Sequence, residues 1–152
     1  MLKGVPPLIS PELLKILAQM GHGDRLTLAD AHFPGHSLGP HVVRADGLLI
    51  APLLKEILWL MHLDDRGSPL LMMQVDPGSA ADPQIEADYI RVAHNVQPGL
   101  PAPARLPREA FYQAARACFA IVVTGDTRPY GNILITKGVT PVMTDSLGDR
   151  ST

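Results

Sequence analysis

Charge is scarce in this chain. Asp, Glu, Lys and Arg together make up 18% of it, and the formal net charge is −2. No basic stretch stands out, so neither nucleic acid nor an anionic membrane surface is expected as a partner. Aromatic residues amount to 5%, and there is one cysteine, Cys118. A single cysteine excludes a disulfide framework within the chain. It lies in the apolar run "ACFAIVV", where a thiol is expected to pack as a small, inert hydrophobe. No run of about 18 apolar residues occurs, so no membrane-spanning helix is expected. The opening "MLKGVPPLISPELLK" lacks the apolar core of a signal peptide and has prolines where one would begin. A reducing cytoplasmic setting is therefore expected.

Apolar residues are plentiful, at 46% of 152 residues. That length suits one domain, which can bury roughly 68–70% of its unfolded surface. Little charge beside so much apolar material also fits a chain that packs against copies of itself.

Local signals divide the chain into alternating elements. "SPELLKILAQMGHG" has Ser10 as an N-cap, Pro11 at the first helical position and apolar residues at helical spacing. Gly21 is the expected helix stop. "RLTLAD" alternates Leu26 and Leu28 with Arg25 and Thr27 and reads as a short strand ending at Asp30. A second helix is expected from near Pro52 in "GLLIAPLLKEILWLMHL", with Trp59 in the core or at an interface. "PLLMMQV" has the length and apolarity of a strand covered on both faces. "DPQIEADYIRVAHNV" and "PREAFYQAARACF" read as helices, and His62 and His94 as residues near helix ends. "FAIVVT" and "GNILIT" read as two last strands that could pair as a hairpin. "PGLPAPARLP" reads as a stiff surface connection. Interleaved helices and apolar strands predict an α/β fold with a mostly parallel or mixed central sheet. One domain over residues 1–140 and a polar tail over 141–152 are expected.

Chemistry concentrates in two places. The first is "MGHGDRLTLADAHFPGH", which holds three histidines, two aspartates and three glycines. Asp30, His32, His36 and His41 are possible metal ligands, but their spacing matches no known ligand pattern. His22 stands between two glycines, which would leave its imidazole open to a small molecule. A histidine ordinarily titrates near neutrality and can move a proton in either direction. Asp24 is placed to orient it. Asp30 falls where a strand should end, the edge at which α/β folds bind ligands. Taken alone, the segment reads more readily as a turn, with His22 a turn residue and Asp30 capping the next segment. The second place is "TGDTRPYGN". Tyr130 offers an aromatic face and a hydroxyl, and Asn132 a donor and an acceptor. Gly131 between them permits close backbone approach. That combination suits a polyhydroxylated sugar, although a β-turn with a solvated tyrosine has the same residues. Arg108, at an expected helix start, is a candidate for a sugar hydroxyl.

Both clusters lie in segments that resemble the L-fucose mutarotase and D-ribose pyranase family. The segments are "ISPELLKILAQMGHGDRLTLADAHFPGHSLG", "RADGLLIAPLL" and "AFYQAARACFAIVVTGDTRPYGNILITKGV". The likeness runs from about Leu2 to Val139, and G-H-G-D, A-H-F-P and Y-G-N resemble the fucose branch. The resemblance implies a three-layer α/β/α sandwich and a mutarotase that interconverts the α and β anomers of L-fucose or a related reducing monosaccharide. It implies His22 as the catalytic histidine, with Asp30, Arg108, Tyr130, Gly131 and Asn132 binding the sugar. No cofactor and no metal are implied. It further implies self-association, in dimers or rings up to a decamer, with the site close to a subunit interface. The alternative from another class is a monosaccharide-binding or sensing module without catalysis.

Overall fold

In the computed structural model, which describes residues 1–142, helix α1 (Pro11–Gln19) starts as its sequence predicts. The Ser10 hydroxyl accepts a hydrogen bond from the Leu13 N–H at 3.1 Å, and Pro11 follows at once. The far end differs from expectation. Met20 is the C-cap, and the left-handed turn residue is Gly23, at φ +86°, not Gly21. The last carbonyls of α1 are satisfied from far along the chain. The Lys137 ammonium donates to the oxygens of Leu17 and Met20 at 2.8 and 2.6 Å. A cation on the terminal carbonyls also suits the helix dipole.

The remaining elements are, in order, β1 (Arg25–Ala29), α2 (Gly35–Leu38), β2 (His41–Ala45), α3 (Ile50–Leu60), β3 (Leu70–Met73), α4 (Pro83–Val96), β4 (Ala104–Leu106), α5 (Arg108–Arg116), β5 (Ala120–Thr124) and β6 (Ile133–Thr136). No local sequence signal announces α2, β2 or β4. Strand β4 lies inside "PGLPAPARLP" and occupies one edge of the sheet. An edge strand needs hydrogen bonds on one side only, so three residues between prolines suffice. The polar tail expected over 141–152 lies outside the described residues from position 143 onward.

The strands form one six-stranded sheet in the order β2-β5-β1-β6-β3-β4. Strand β1 runs parallel to β5, and β5 to β2; β3 runs parallel to β4. Only β6 runs the other way, antiparallel to both β1 and β3. The hairpin expected between β5 and β6 does not form, because β1 lies between them. Strand β1 is buried from Leu26 to Ala29, Thr27 included, instead of half-exposed. A central strand is covered on both faces, so the polar member of an alternation is buried as well.

Two apolar cores lie on the two faces of the sheet. Leu26, Leu28, Val122, Ile133 and Ile135 pack with α1, α3 and α4. Ala29, Ile121, Val123 and Leu134 pack with α5 and Phe33 on the other. This is the three-layer α/β/α sandwich. The paired methionines Met72 and Met73 are buried, one in each core. Trp59 departs from the core expectation: it stands 72% exposed on α3. His94 has a structural contact, its Nε2 lying 2.8 Å from the Leu100 oxygen and tying the end of α4 to the next loop.

Cys118 packs in the second core with its sulfur 3.1 Å from the Thr27 hydroxyl. Burial pushes its thiol up to about 11. At pH 8 roughly one molecule in a thousand would then carry the reactive thiolate. Alkylation by iodoacetamide should be at least about a hundredfold slower in the native protein than in denaturant. A mass-spectrometric time course with equal rates in both conditions would show that the thiol is accessible.

Candidate functional site

Five of the six strands point the same way, so their C-terminal ends share one edge of the sheet. Asp30 follows β1, Arg108 follows β4 and opens α5, and Asn132 immediately precedes the antiparallel β6. All three therefore meet at that edge, where open α/β sheets bind ligands. A cavity of about 300 Å³ opens there. Asp30, His32, Phe33, Met73, Arg108 and Tyr112 line it, along with Pro34, Pro129, Tyr130 and Asn132.

The loop from Gly125 to Asn132 joins β5 to β6 and must cross the end of β1. Its hydrogen bonds fasten it there. The Asn132 side-chain oxygen accepts from the Asp30 N–H at 2.8 Å, and the Asp126 carbonyl accepts from the Ala31 N–H at 2.8 Å. Gly125 is required at the start of this crossing, because a Cβ there would collide with the Asp46 backbone. The Asp30 carboxylate accepts from the His32 N–H at 2.9 Å and is almost fully buried. A buried carboxylate is stable only with donors around it. A ligand hydroxyl in the cavity is a natural further donor.

Tyr130 adopts φ +60°, a left-handed conformation unusual for a residue with a side chain. Such a conformation costs about 1–3 kcal/mol and persists only where its surroundings impose it. Two contacts impose it here. The Tyr130 hydroxyl donates to Asp76 at 3.2 Å, and the next carbonyl, that of Gly131, accepts from the buried Tyr89 hydroxyl at 2.7 Å. Gly131 is thus tied to α4 and does not line the cavity. Arg108 donates to the same Asp76 oxygen at 2.6 Å, and that carboxylate holds the guanidinium in its charged form even more firmly than usual.

Behind the loop stands a compact charged cluster. Arg128 donates twice to Asp126, at 3.0 and 2.9 Å, and approaches Asp88 on α4 at 3.6 Å. Burial would raise the Asp126 carboxyl, but hydrogen bonds and charge from Arg128 outweigh it and hold the group below its ordinary value. Burial likewise pushes the Tyr89 phenol up, so it stays protonated and keeps donating to Gly131.

His22 is not in this cavity. It precedes β1, whereas Asp30 follows it, and five residues at about 3.3 Å each put on the order of 15 Å between the two ends. His22 lines a second cavity, of about 480 Å³, at the opposite edge of the sheet, with His62, Asp64 and Arg66. Its Nε2 lies 3.5 Å from the Asp64 carboxylate. Asp24, the expected partner, instead accepts from the Gly21 N–H at 2.7 Å and closes the turn. The four residues weighed as metal ligands are also dispersed. Asp30 and His32 line the first cavity, while His41 faces Glu12 at 2.9 Å. Among the described residues no three His, Cys, Asp or Glu side chains converge as a metal site.

Local sequence signals missed Asp64, Asp76, Tyr89, Tyr112 and Arg128. Asp76 was within reach, since it closely follows an apolar strand run, the position that singled out Asp30. Asp64 and Tyr89 carry no local signal, because only tertiary packing brings them to their partners.

Residues 3–140 match the model of the RbsD / FucU transport protein family. The chain belongs to that family. A crystal structure of the fucose mutarotase from Streptococcus pneumoniae, in complex with L-fucose, shares 41% identity with a TM-score of 0.87. The alignment covers 92% of this chain and all of that one. FucU from Bifidobacterium longum shares 38% identity with a TM-score of 0.86, over 91% of this chain and all of that one. Bacillus subtilis RbsD, complexed with D-ribose, is 23% identical with a TM-score of 0.70 over 93% of this chain and all of that one, a likeness of fold. Among the described residues no helix is long and apolar enough to cross a membrane.

The charged cluster makes a stability prediction. A carboxyl held below its unfolded value stabilises the fold above that value, near 3.9, and the contribution is lost as pH falls through the lower folded value. Denaturant titrations from pH 7 to pH 2 should show stability falling in the acid range, and Asp126→Asn should be weaker at pH 7 with a flatter acid decline. Parallel declines in the two proteins would remove Asp126 from this role.

Proposed function

We propose that this RbsD / FucU family protein is a mutarotase that interconverts the α and β anomers of L-fucose or a close neutral analogue. The observation that carries the reading is the cavity itself. It sets a buried carboxylate, a guanidinium, a phenol and an amide around one space at the strand ends. Those groups can donate and accept to several hydroxyls at once, while Phe33, Tyr112 and Met73 offer apolar surface to C–H groups. The 41% identity to a fucose mutarotase bound to L-fucose supports the same sugar class.

The reaction needs only protons moved at two oxygens. A base takes the proton from the anomeric hydroxyl as an acid protonates the ring oxygen. The bond from C1 to the ring oxygen breaks and C1 becomes an aldehyde carbon. Rotation about C1–C2 and the reverse transfers give the other anomer, with no net change in protons or electrons. In this reading Asp30, Arg108 and Asn132 hold hydroxyls, and His22 carries the catalytic proton. Tyr130 is the better second group than Asp24: it lines the cavity, and its oxygen can take the anomeric proton as its own passes to Asp76, whereas Asp24 is bonded to Gly21.

His22 can serve that cavity only if a second copy presents it. Self-association is therefore part of the proposal, and the exposed Trp59 and Leu49 are consistent with surfaces that copies cover. The assembly would be a dimer or a ring built from such contacts. A cytoplasmic setting remains the expected one for a chain with a lone, buried thiol.

His22→Asn should still bind L-fucose yet lose anomer exchange by about two to four powers of ten, the usual contribution of a positioned acid or base. Asp30→Ala should instead lose binding. Saturation-transfer NMR reads exchange and binding in one sample. Wild-type protein that binds L-fucose without accelerating exchange would favour a sensing module, and an unaffected His22→Asn protein would move the proton transfer to another residue.

A further inference from the structure

Arg108 is the one guanidinium lining the cavity among the described residues, and it is the first residue of the nine-residue helix α5. An arginine at a helix N-terminus ordinarily makes a good anion site. In this chain the anion is already supplied. Asp76, just beyond β3 and outside the cavity lining, accepts from Arg108 at 2.6 Å and from the Tyr130 hydroxyl at 3.2 Å through one oxygen.

The arrangement acts on the site in two ways. The first is charge: Asp30 and Asp76 against Arg108 leave the site one negative charge in excess when His32 is neutral. The second is polarity: Tyr130 spends its only proton on Asp76, so towards the cavity its oxygen is an acceptor, as is the Asp30 carboxylate. A sugar hydroxyl can donate to both. A carboxylate or a fully ionised phosphate has no proton to give them and meets a like charge. Arginine has five N–H donors, so those not used on Asp76 remain for neutral hydroxyls.

We propose that Asp76 is a specificity-determining positioning residue, which by claiming Arg108 and Tyr130 from outside the cavity makes the site select neutral monosaccharides over sugar acids and sugar phosphates. The inference rests on the sugar-binding reading above but not on catalysis.

The test compares L-fucose with a hexuronate, in binding and in anomer exchange, for wild type, Asp76→Asn and Asp76→Glu. Asparagine keeps one acceptor oxygen for Arg108 and Tyr130 and removes the charge, with an NH2 group in place of the other oxygen. It should raise hexuronate affinity relative to L-fucose by about tenfold or more, the scale of a like-charge contact. Glutamate should keep the wild-type ratio, an outcome that a merely structural role for Asp76 does not require. Added salt should shrink the wild-type discrimination. A ratio unchanged by Asp76→Asn, or a wild-type preference for the hexuronate, would overturn the proposal. Should Asp76→Asn fail to fold, the wild-type salt series decides, and a flat ratio counts against it. L-fucose bound without exchange would refute the mutarotase reading while the affinity ratio still decides on Asp76. No binding of either sugar would overturn both.

Discussion

Strand β1 lies between β5 and β6, and most of the site depends on that placement. Because β5 ends and β6 begins at the same edge, the loop joining them has to pass over the end of β1. Asp30 stands at that end. The crossing gives the Asp30 N–H its acceptor on Asn132 and the Ala31 N–H its acceptor on Asp126. Buried backbone donors have to be paired somewhere, and here the pairing itself fixes the loop above the strand. Residues about a hundred positions apart thus become neighbours in one cavity.

A loop of turn-forming residues would not hold Tyr130 in a left-handed conformation unaided. The support comes from α4. Tyr89 bonds the Gly131 carbonyl, and Asp88 approaches Arg128 of the loop, which also pairs with Asp126 within it. From outside the cavity lining, Asp76 fixes the Tyr130 hydroxyl and Arg108 together. The Arg128 pairs are partly buried, and removing water from their charges offsets much of the attraction, so they position the loop more than they stabilise it. Rigidity is what a site that positions hydroxyl groups requires.

What the sequence made legible was local or strongly periodic. Ser10 and Asp82 cap their helices through hydrogen bonds within three residues, so their helices could be read directly. The apolar runs of β1, β3, β5 and β6 announced buried strands. Strand order is a different kind of property, and nothing in "GDTRPY" revealed that β1 would separate β5 from β6. Strands β2 and β4 escaped notice because short edge strands need neither alternation nor full burial. Asp30 was legible at a strand end, Arg108 at a helix start, and Tyr130 and Asn132 in a turn-forming segment, and the four share one cavity. His22 and Asp30 looked adjacent because eight positions separate them, yet a strand turns that short interval into opposite edges of the sheet.

Catalysis as proposed therefore needs a site shared between copies: the cavity residues of one and His22 of another. His22→Asn and Asp30→Asn each remove one half of such a site. Assemblies made by refolding the two variants together contain sites with both halves intact. Anomer exchange on L-fucose in that mixture, with mixed assemblies verified by native mass spectrometry, should clearly exceed the sum of the two variants alone. Exchange that stays at that sum would contradict a shared site.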